Sequence, residues 1–365
     1  MTAVSLAACG NASERPDSGA TASSGAGSGA DACSSSNLDA CEYPSRDLAV
    51  EEREGFSVTD PVTGRELPLL ARVPEGPGPF PVVVYSHGGG FTDTGHRQSD
   101  AWGSTIAGHG YAVIHIAHIA PDAESGAALC AIGSVPAAEC VLSGDDEDAS
   151  GMVALVKTRD VIAVLDALPK LSDASVAAGG PSIDLDRVAV AGWSAGSRAP
   201  LITHGAVFLP SPSAPPLSMS HPLPKAAVAF SPMGPGYAGF FDTGDTNTWQ
   251  GIRGPVLMVT GDNDTKPSKP DLEGADRRVA FEKQPADGTR WLLYSNLPPG
   301  VGAHATYNLE DLGSSDERLS RISRAMRSSV LAFLDAHLNG DAGAAQWLSG
   351  GHAGVLAGEA EWVHK

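Results

Sequence analysis

Basic residues are scarce in this chain of 365 residues: 24 lysines and arginines stand against 43 aspartates and glutamates, a formal net charge of -19. A field of that sign repels polyanions and argues against a nucleic-acid partner, while leaving a neutral substrate unaffected. No run of eighteen apolar residues occurs, so no segment reads as a membrane-spanning helix. No short repeat accompanies the 43 glycines and 27 prolines, which argues against a fibrous array and for long ordered loops. The five cysteines include no Cys-x-x-Cys pair and no compact zinc-ligand spacing. What is present, 42% hydrophobic residues, suffices for one sizeable core carrying loop insertions.

The most informative stretch runs from Val188 to Ser197, where a short β-branched run meets Gly192-Trp193-Ser194-Ala195-Gly196. A strand that turns sharply into a helix needs small residues on both sides, and Gly192 and Gly196 supply them. Ser194 is left at the apex as a nucleophile. The first N–H groups of the following helix can stabilise a substrate oxyanion, so Ala195 supplies half of an oxyanion hole.

The other half is expected after a second buried strand. Residues 81–86 form a nearly continuous apolar run, and His87-Gly88-Gly89-Gly90 follows it directly. Glycines there let backbone N–H groups approach a ligand, and Gly89 is the expected partner of Ala195, with Gly88 as its neighbour. His87 suits a structural hydrogen-bonding role better than that of a base.

Further strands are expected at 55–62, 65–73, 111–117, 225–231, 255–260 and 290–296, with helices at 98–109, 153–168, 195–204 and 315–339. The first two strands suit the outside of a mixed sheet, and the strand, helix, strand unit over 81–117 implies a parallel pair. Residues 170–181 read as a loop, 341–348 as a small helix, and the remainder as a surface tail. Pro200 is tolerable only in the first turns of its helix. Insertions are expected at 120–150, 205–224 and 232–250. The first contains the acidic run Asp145, Asp146, Glu147 and Asp148, which lacks the alternation of a calcium loop. In the third, Met233, Tyr237, Phe240, Phe241 and Trp249 are candidates for an acyl pocket or for core. His115 and His118, three apart near one strand end, have no clear third ligand, so no metal is assigned.

A carboxylate and a base are expected beyond the nucleophile in the order Ser, Asp, His. The strand at 255–260 ends in Gly261-Asp262-Asn263-Asp264. Asp264, further into the loop, is the expected acid and Asp262 the alternative, and either can serve turn formation alone. The last core strand leads to Pro298-Pro299-Gly300-Val301-Gly302-Ala303-His304. His304 is the expected base, because an imidazole can take the Ser194 proton and return it to a leaving group. His204 lies too near the nucleophile, and His221 sits in the proline-rich excursion.

At the start of the chain, Leu6-Ala7-Ala8-Cys9-Gly10 resembles the processing box of a bacterial lipoprotein. Residues 1–9 lack the positive end and long apolar run of a complete signal and suit a truncated one. That resemblance implies export, with a lipid anchor at Cys9 or release into the periplasm or medium. Residues 10–36 read as a flexible linker and 37–365 as one domain. Setting Cys9 aside, Cys33, Cys41, Cys130 and Cys140 allow three pairings, of which proximity favours Cys33 with Cys41 and Cys130 with Cys140.

Over about residues 56–350 the chain resembles the α/β-hydrolase superfamily. Ser86-His87-Gly88-Gly89, the Ser194 motif, Ala229-Phe230-Ser231-Pro232-Met233-Gly234-Pro235 and the Asp264 and His304 loops are similar to the branch containing platelet-activating-factor acetylhydrolases, dienelactone hydrolases and cutinase-like polyester hydrolases. The resemblance implies an α/β fold with a mostly parallel central sheet flanked by helices. It implies Ser194, Asp264 and His304 as catalytic residues, Gly89 and Ala195 as oxyanion donors, and no cofactor. The expected activity is hydrolysis of small or medium esters, lipid acetyl esters or polyesters. Alternatives are an amidase or peptidase of the same fold and a non-catalytic surface binding protein. The chain departs from the branch at Trp193, where histidine is more usual.

Overall fold

The computed structural model describes residues 33–141, 151–265 and 273–365. Along it run β1 (Val50–Thr59), β2 (Glu66–Pro74), β3 (Phe80–Ser86), α1 (Asp100–Gly108), β4 (Ala112–Ile116), α2 (Ala123–Ile132), α3 (Gly151–Ala177) and β5 (Ile183–Trp193). Then follow α4 (Arg198–Thr203), β6 (Val207–Phe208), β7 (Leu217–Ser218), β8 (Ala226–Phe230), β9 (Val256–Gly261), α5 (Gly274–Glu282) and β10 (Arg290–Ser295). The chain closes with α6 (Glu317–Leu338), α7 (Ala342–Ser349), α8 (His352–Ala357) and β11 (Ala360–His364).

Among the described residues, nine strands form one sheet in the order β1-β2-β4-β3-β5-β8-β9-β10-β11. The six from β4 to β10 are parallel, while β1, β2 and β11 join antiparallel at the two edges. The apolar runs of the central strands are continuous because both faces are covered. Side chains alternate between faces. Val83, Tyr85, Ala191, Val228 and Val259 meet α1 and α6. Val82, Val84, Val188 and Val190 meet Val161, Val164 and Leu168 of α3, and Ala227, Ala229 and Met258 pack with Leu201 and Ile202 of α4. The fold is therefore α/β, a mostly parallel sheet between helical layers.

Register aligns the carboxyl ends of the parallel strands. Ser86 pairs with Gly192, Trp193 with Phe230, and Gly261 with Ser295. Loops leaving those ends gather at the carboxyl end of the sheet, where ligands of open α/β sheets bind.

Several expectations need correction. The edge strand expected at 55–62 begins earlier, at Val50, and bulges between Arg53 and Phe56. The loop expected at 170–181 is largely helix: α3 continues through Pro169 to Ala177. Leu171 extends its apolar face onto the sheet, and Ser172 and Ser175 bond the backbone of Ile183 and Pro181. The expected surface tail instead forms α8 and the edge strand β11, with Trp362 stacked on Trp291 at 5.2 Å. Pro200 sits in the first turn of α4, where its missing N–H is harmless. In the 120–150 insertion, α2 carries a capping box from Asp122 and Ser125.

Disulfides join Cys33 to Cys41 and Cys130 to Cys140, the pairing that proximity favours. Residues 1–32, with Cys9 and most of the linker, and the acidic run at 145–148 lie outside the described residues.

Candidate active site

Ser194 follows β5 directly and opens a 3-10 helix over Ser194–Ser197. Its φ is +53°, a left-handed conformation rarely adopted by residues other than glycine. The turn is held by close backbone approach: a Cβ at Gly192 would lie 2.3 Å from the Gly196 carbonyl oxygen, and one at Gly196 would lie 2.1 Å from that of Ser86. No side chain larger than hydrogen fits at either position. Ser197 Oγ donates to the Ser194 carbonyl at 2.6 Å and ties the turn together.

His304 begins the 3-10 helix His304–Asn308 after β10. Its Nε2 is 2.7 Å from Ser194 Oγ, and its Nδ1 is 2.6 Å from Asp264 Oδ1. An ionised carboxylate only accepts, so Nδ1 carries the proton and Nε2 is free to accept from the Ser194 hydroxyl. The second carboxylate oxygen of Asp264 accepts from Thr260 Oγ1 at 2.6 Å. Trp193 lies along the imidazole, ring centroids 4.9 Å apart.

Asp264 is fully buried, yet stays ionised. Burial pushes its carboxyl up. The Arg277 guanidinium, 3.4 Å away, together with the bonds from His304 and Thr260, outweighs burial and holds it below its ordinary value. Arg277 also anchors the loop itself, donating to the carbonyls of Asp264, Ser231 and Pro232 at 2.8 to 3.1 Å. Asn263 Nδ2 reaches the carbonyls of Leu297, Pro298 and Val301 at 2.7 to 3.0 Å and couples the acid loop to the histidine loop.

The structure thus joins Ser194, His304 and Asp264 in one hydrogen-bonded line. Asp262 is exposed and accepts from Tyr294 on the other side of the loop, at 2.7 Å. On the β3 side, Gly88 lies against the Ser194 turn: a Cβ there would be 2.3 Å from the Trp193 ring and 3.3 Å from Ser194 Cβ. Gly89 takes φ of +65°, and Ala195 lies in the first helical turn, where N–H groups lack intrahelical acceptors.

His87 is buried, with its Nδ1 2.6 Å from the Gly88 carbonyl and its Nε2 3.4 Å from the His118 N–H, so both ring nitrogens face backbone. Burial, and then Lys157, hold its imidazole well below the ordinary value, so it is neutral. His204 bonds the Pro200 carbonyl and His221 bonds Asp166. Met233, Phe240 and Trp249 are buried in the core cluster beside α4, with Tyr237 packed at its margin. Among the described residues no three histidines, cysteines or carboxylates are grouped to hold a metal.

Thr260, Arg277, Asn263 and Ser197 are positioning residues that sequence reasoning missed. Arg277 carries one legible signal, a cation three residues before the buried Ala280 and four before Phe281 on α5, but its target carbonyls lie on two other loops. No family model matches the chain, and no curated protein matches it.

Proposed function

We propose that this protein is a serine carboxylic-ester hydrolase of the α/β-hydrolase superfamily, in the branch its sequence resembles. The observation that carries the reading is the hydrogen-bonded line from Ser194 through His304 to the buried, ionised Asp264. In this mechanism Ser194 Oγ attacks the ester carbonyl while His304 Nε2 takes its proton. The tetrahedral oxyanion accepts hydrogen bonds from the N–H groups of Gly89 and Ala195. The C–O bond to the alcohol breaks as His304 returns the proton to it, leaving an acyl group on Ser194. Water, deprotonated by His304, then attacks the acyl carbonyl, and His304 returns that proton to Ser194 Oγ as the acyl C–O bond breaks and the acid is released. Asp264 holds the imidazole in one tautomer and stabilises the imidazolium formed twice per cycle.

The chemistry reaches small and medium esters, lipid acetyl esters and exposed polyesters without a cofactor. Two disulfides support an oxidising compartment, in line with an exported protein anchored through Cys9 or released.

Chromogenic esters of increasing acyl length, with matched amides alongside, test the reading on folded wild type and Ser194→Ala. The expected result is ester turnover that the variant loses by about 10³-fold or more. Amide turnover exceeding ester turnover would move the assignment to an amidase. Undiminished ester turnover by the variant would remove Ser194 as the nucleophile.

A further inference from the structure

A second serine, histidine and aspartate are linked behind the first, in the interior. Ser86, the last residue of β3, has its Oγ 2.8 Å from His118 Nε2, and His118 Nδ1 is 2.9 Å from Asp160 Oδ2. All three are fully buried, so Ser86 has no access to substrate and this is no second nucleophile. Arg65 pairs with the other oxygen of Asp160 and also donates to the Ile119 carbonyl. Burial raises the Asp160 carboxyl, to about 7, against the pull of Arg65. Burial, and then Lys157, hold the His118 imidazole well below its ordinary value. Above neutral pH the relay is therefore a carboxylate, a neutral imidazole donating from Nδ1, and a hydroxyl donating to Nε2.

What this relay grips is the loop after β3. The His118 N–H donates to His87 Nε2 at 3.4 Å, and the His118 carbonyl accepts from the Thr92 N–H at 2.8 Å. One residue thus holds both ends of the segment 87–92. Lys157, one turn before Asp160 on α3, donates to the His87 carbonyl at 3.0 Å. A Cβ at Gly196 would lie 2.1 Å from the Ser86 carbonyl oxygen and 2.5 Å from that of His87, so the start of this loop packs closely on the Ser194 turn. Moving Ser86 therefore moves the glycine loop relative to Ser194, with Gly88 already against the Ser194 side chain.

We propose that Ser86, His118 and Asp160 are positioning residues for the oxyanion hole, fixing where the Gly89 N–H points relative to Ser194. The proposal rests on the esterase reading above. A misplaced donor weakens binding of the tetrahedral state more than binding of the substrate, so the relay acts on kcat and not on KM.

The test compares wild type, Ser86→Ala, Ser86→Thr and His118→Gln at pH 8. It reads kcat and KM on a short-chain chromogenic ester, Ki for a trifluoromethyl ketone whose Ser194 adduct places an oxyanion in the hole, and thermal midpoint. Tyr43→Phe, which removes a hydrogen bond from the distant buried Asp335, serves as a control for general loss of stability. The expected result is a fall in kcat of about 10- to 100-fold for Ser86→Ala, with KM within about twofold and Ki weakened by the same factor as kcat. Ser86→Thr, which keeps the hydroxyl, restores most of both, and Tyr43→Phe lowers the midpoint alone. If His118→Gln fails to fold, the Ser86 pair decides. Wild-type kcat and Ki in Ser86→Ala overturn the proposal while leaving the esterase reading intact. A wild type with no turnover and no labelling of Ser194 by a fluorophosphonate overturns both.

Discussion

The indole of Trp193 lies against the imidazole of His304, with centroids 4.9 Å apart and planes inclined by 32°. The same indole closes over Gly88, so one side chain touches both His304 and the glycine loop. The indole packs on the ring that carries the Ser194 proton in the proposed reaction, so it bears on how that ring is held. Trp193→Ala is expected to lower kcat by about 3- to 10-fold, the equivalent of one aromatic pair, with a smaller change in KM. Steady-state kinetics on one short-chain ester checks this. A change confined to KM would assign the indole to substrate binding.

Gly196 provides a sharper structural test. A methyl group there meets backbone oxygens of two residues, which cannot swing aside as a side chain would. Gly196→Ala is expected to destabilise the fold by about 2 kcal/mol or more, measured as a shift in urea midpoint. Gly89→Ala has open space for its Cβ and meets only the left-handed backbone preference, so its loss is expected to be about 1 kcal/mol.

Arg277 holds Asp264 ionised in a buried site, which ties acid stability to that cation. The Asp264 carboxyl sits below its unfolded value, so its contribution to stability is complete above the ordinary carboxylate range and fades as pH falls through the folded value. In Arg277→Met the carboxyl rises, and that loss moves to higher pH. Unfolding midpoints from pH 7 to pH 3 are expected to show it, together with a drop in kcat of about tenfold or more as the acid loop loses its anchor. An unchanged pH profile would show that the bonds from His304 and Thr260 suffice.

Asp335 makes the same argument away from the site. It is buried on α6, where it accepts from Tyr43, Tyr111 and His109 at 2.6 to 2.9 Å. Burial pushes its carboxyl up, but the bonds from His109 and Tyr111 prevail and hold it far below the ordinary range. Its contribution is expected to persist until pH falls well under 4. Asp335→Asn is expected to lower the midpoint at pH 7 and flatten the acid limb, leaving kcat unchanged.

Much of this architecture is legible in the residues. Runs such as Val82-Val83-Val84 and Val256-Leu257-Met258-Val259 announce strands covered on both faces, and the glycines flanking Ser194 announce a turn that tolerates nothing larger. Position within the loop separates Asp264 from Asp262, because only the deeper residue turns inward to the histidine. The rest depends on partners that no local pattern displays. β11 is five residues long and becomes a strand because β10 offers it an open edge. His118 has partners 32 and 42 residues away on a neighbouring strand and a crossing helix, so from the sequence it is one histidine without a third ligand. Pro169 suggests an end to α3, yet packing of Leu171 carries the helix onward.

Trapping the acyl group decides whether Ser194 is the nucleophile. The protein is mixed with a slowly deacylating activated ester, quenched in acid, and its peptides are read by mass spectrometry. One acyl adduct is expected on the peptide bearing Ser194, absent from Ser194→Ala and strongly reduced in His304→Ala. Ester turnover with no adduct on Ser194, or an adduct that survives Ser194→Ala, would contradict that assignment.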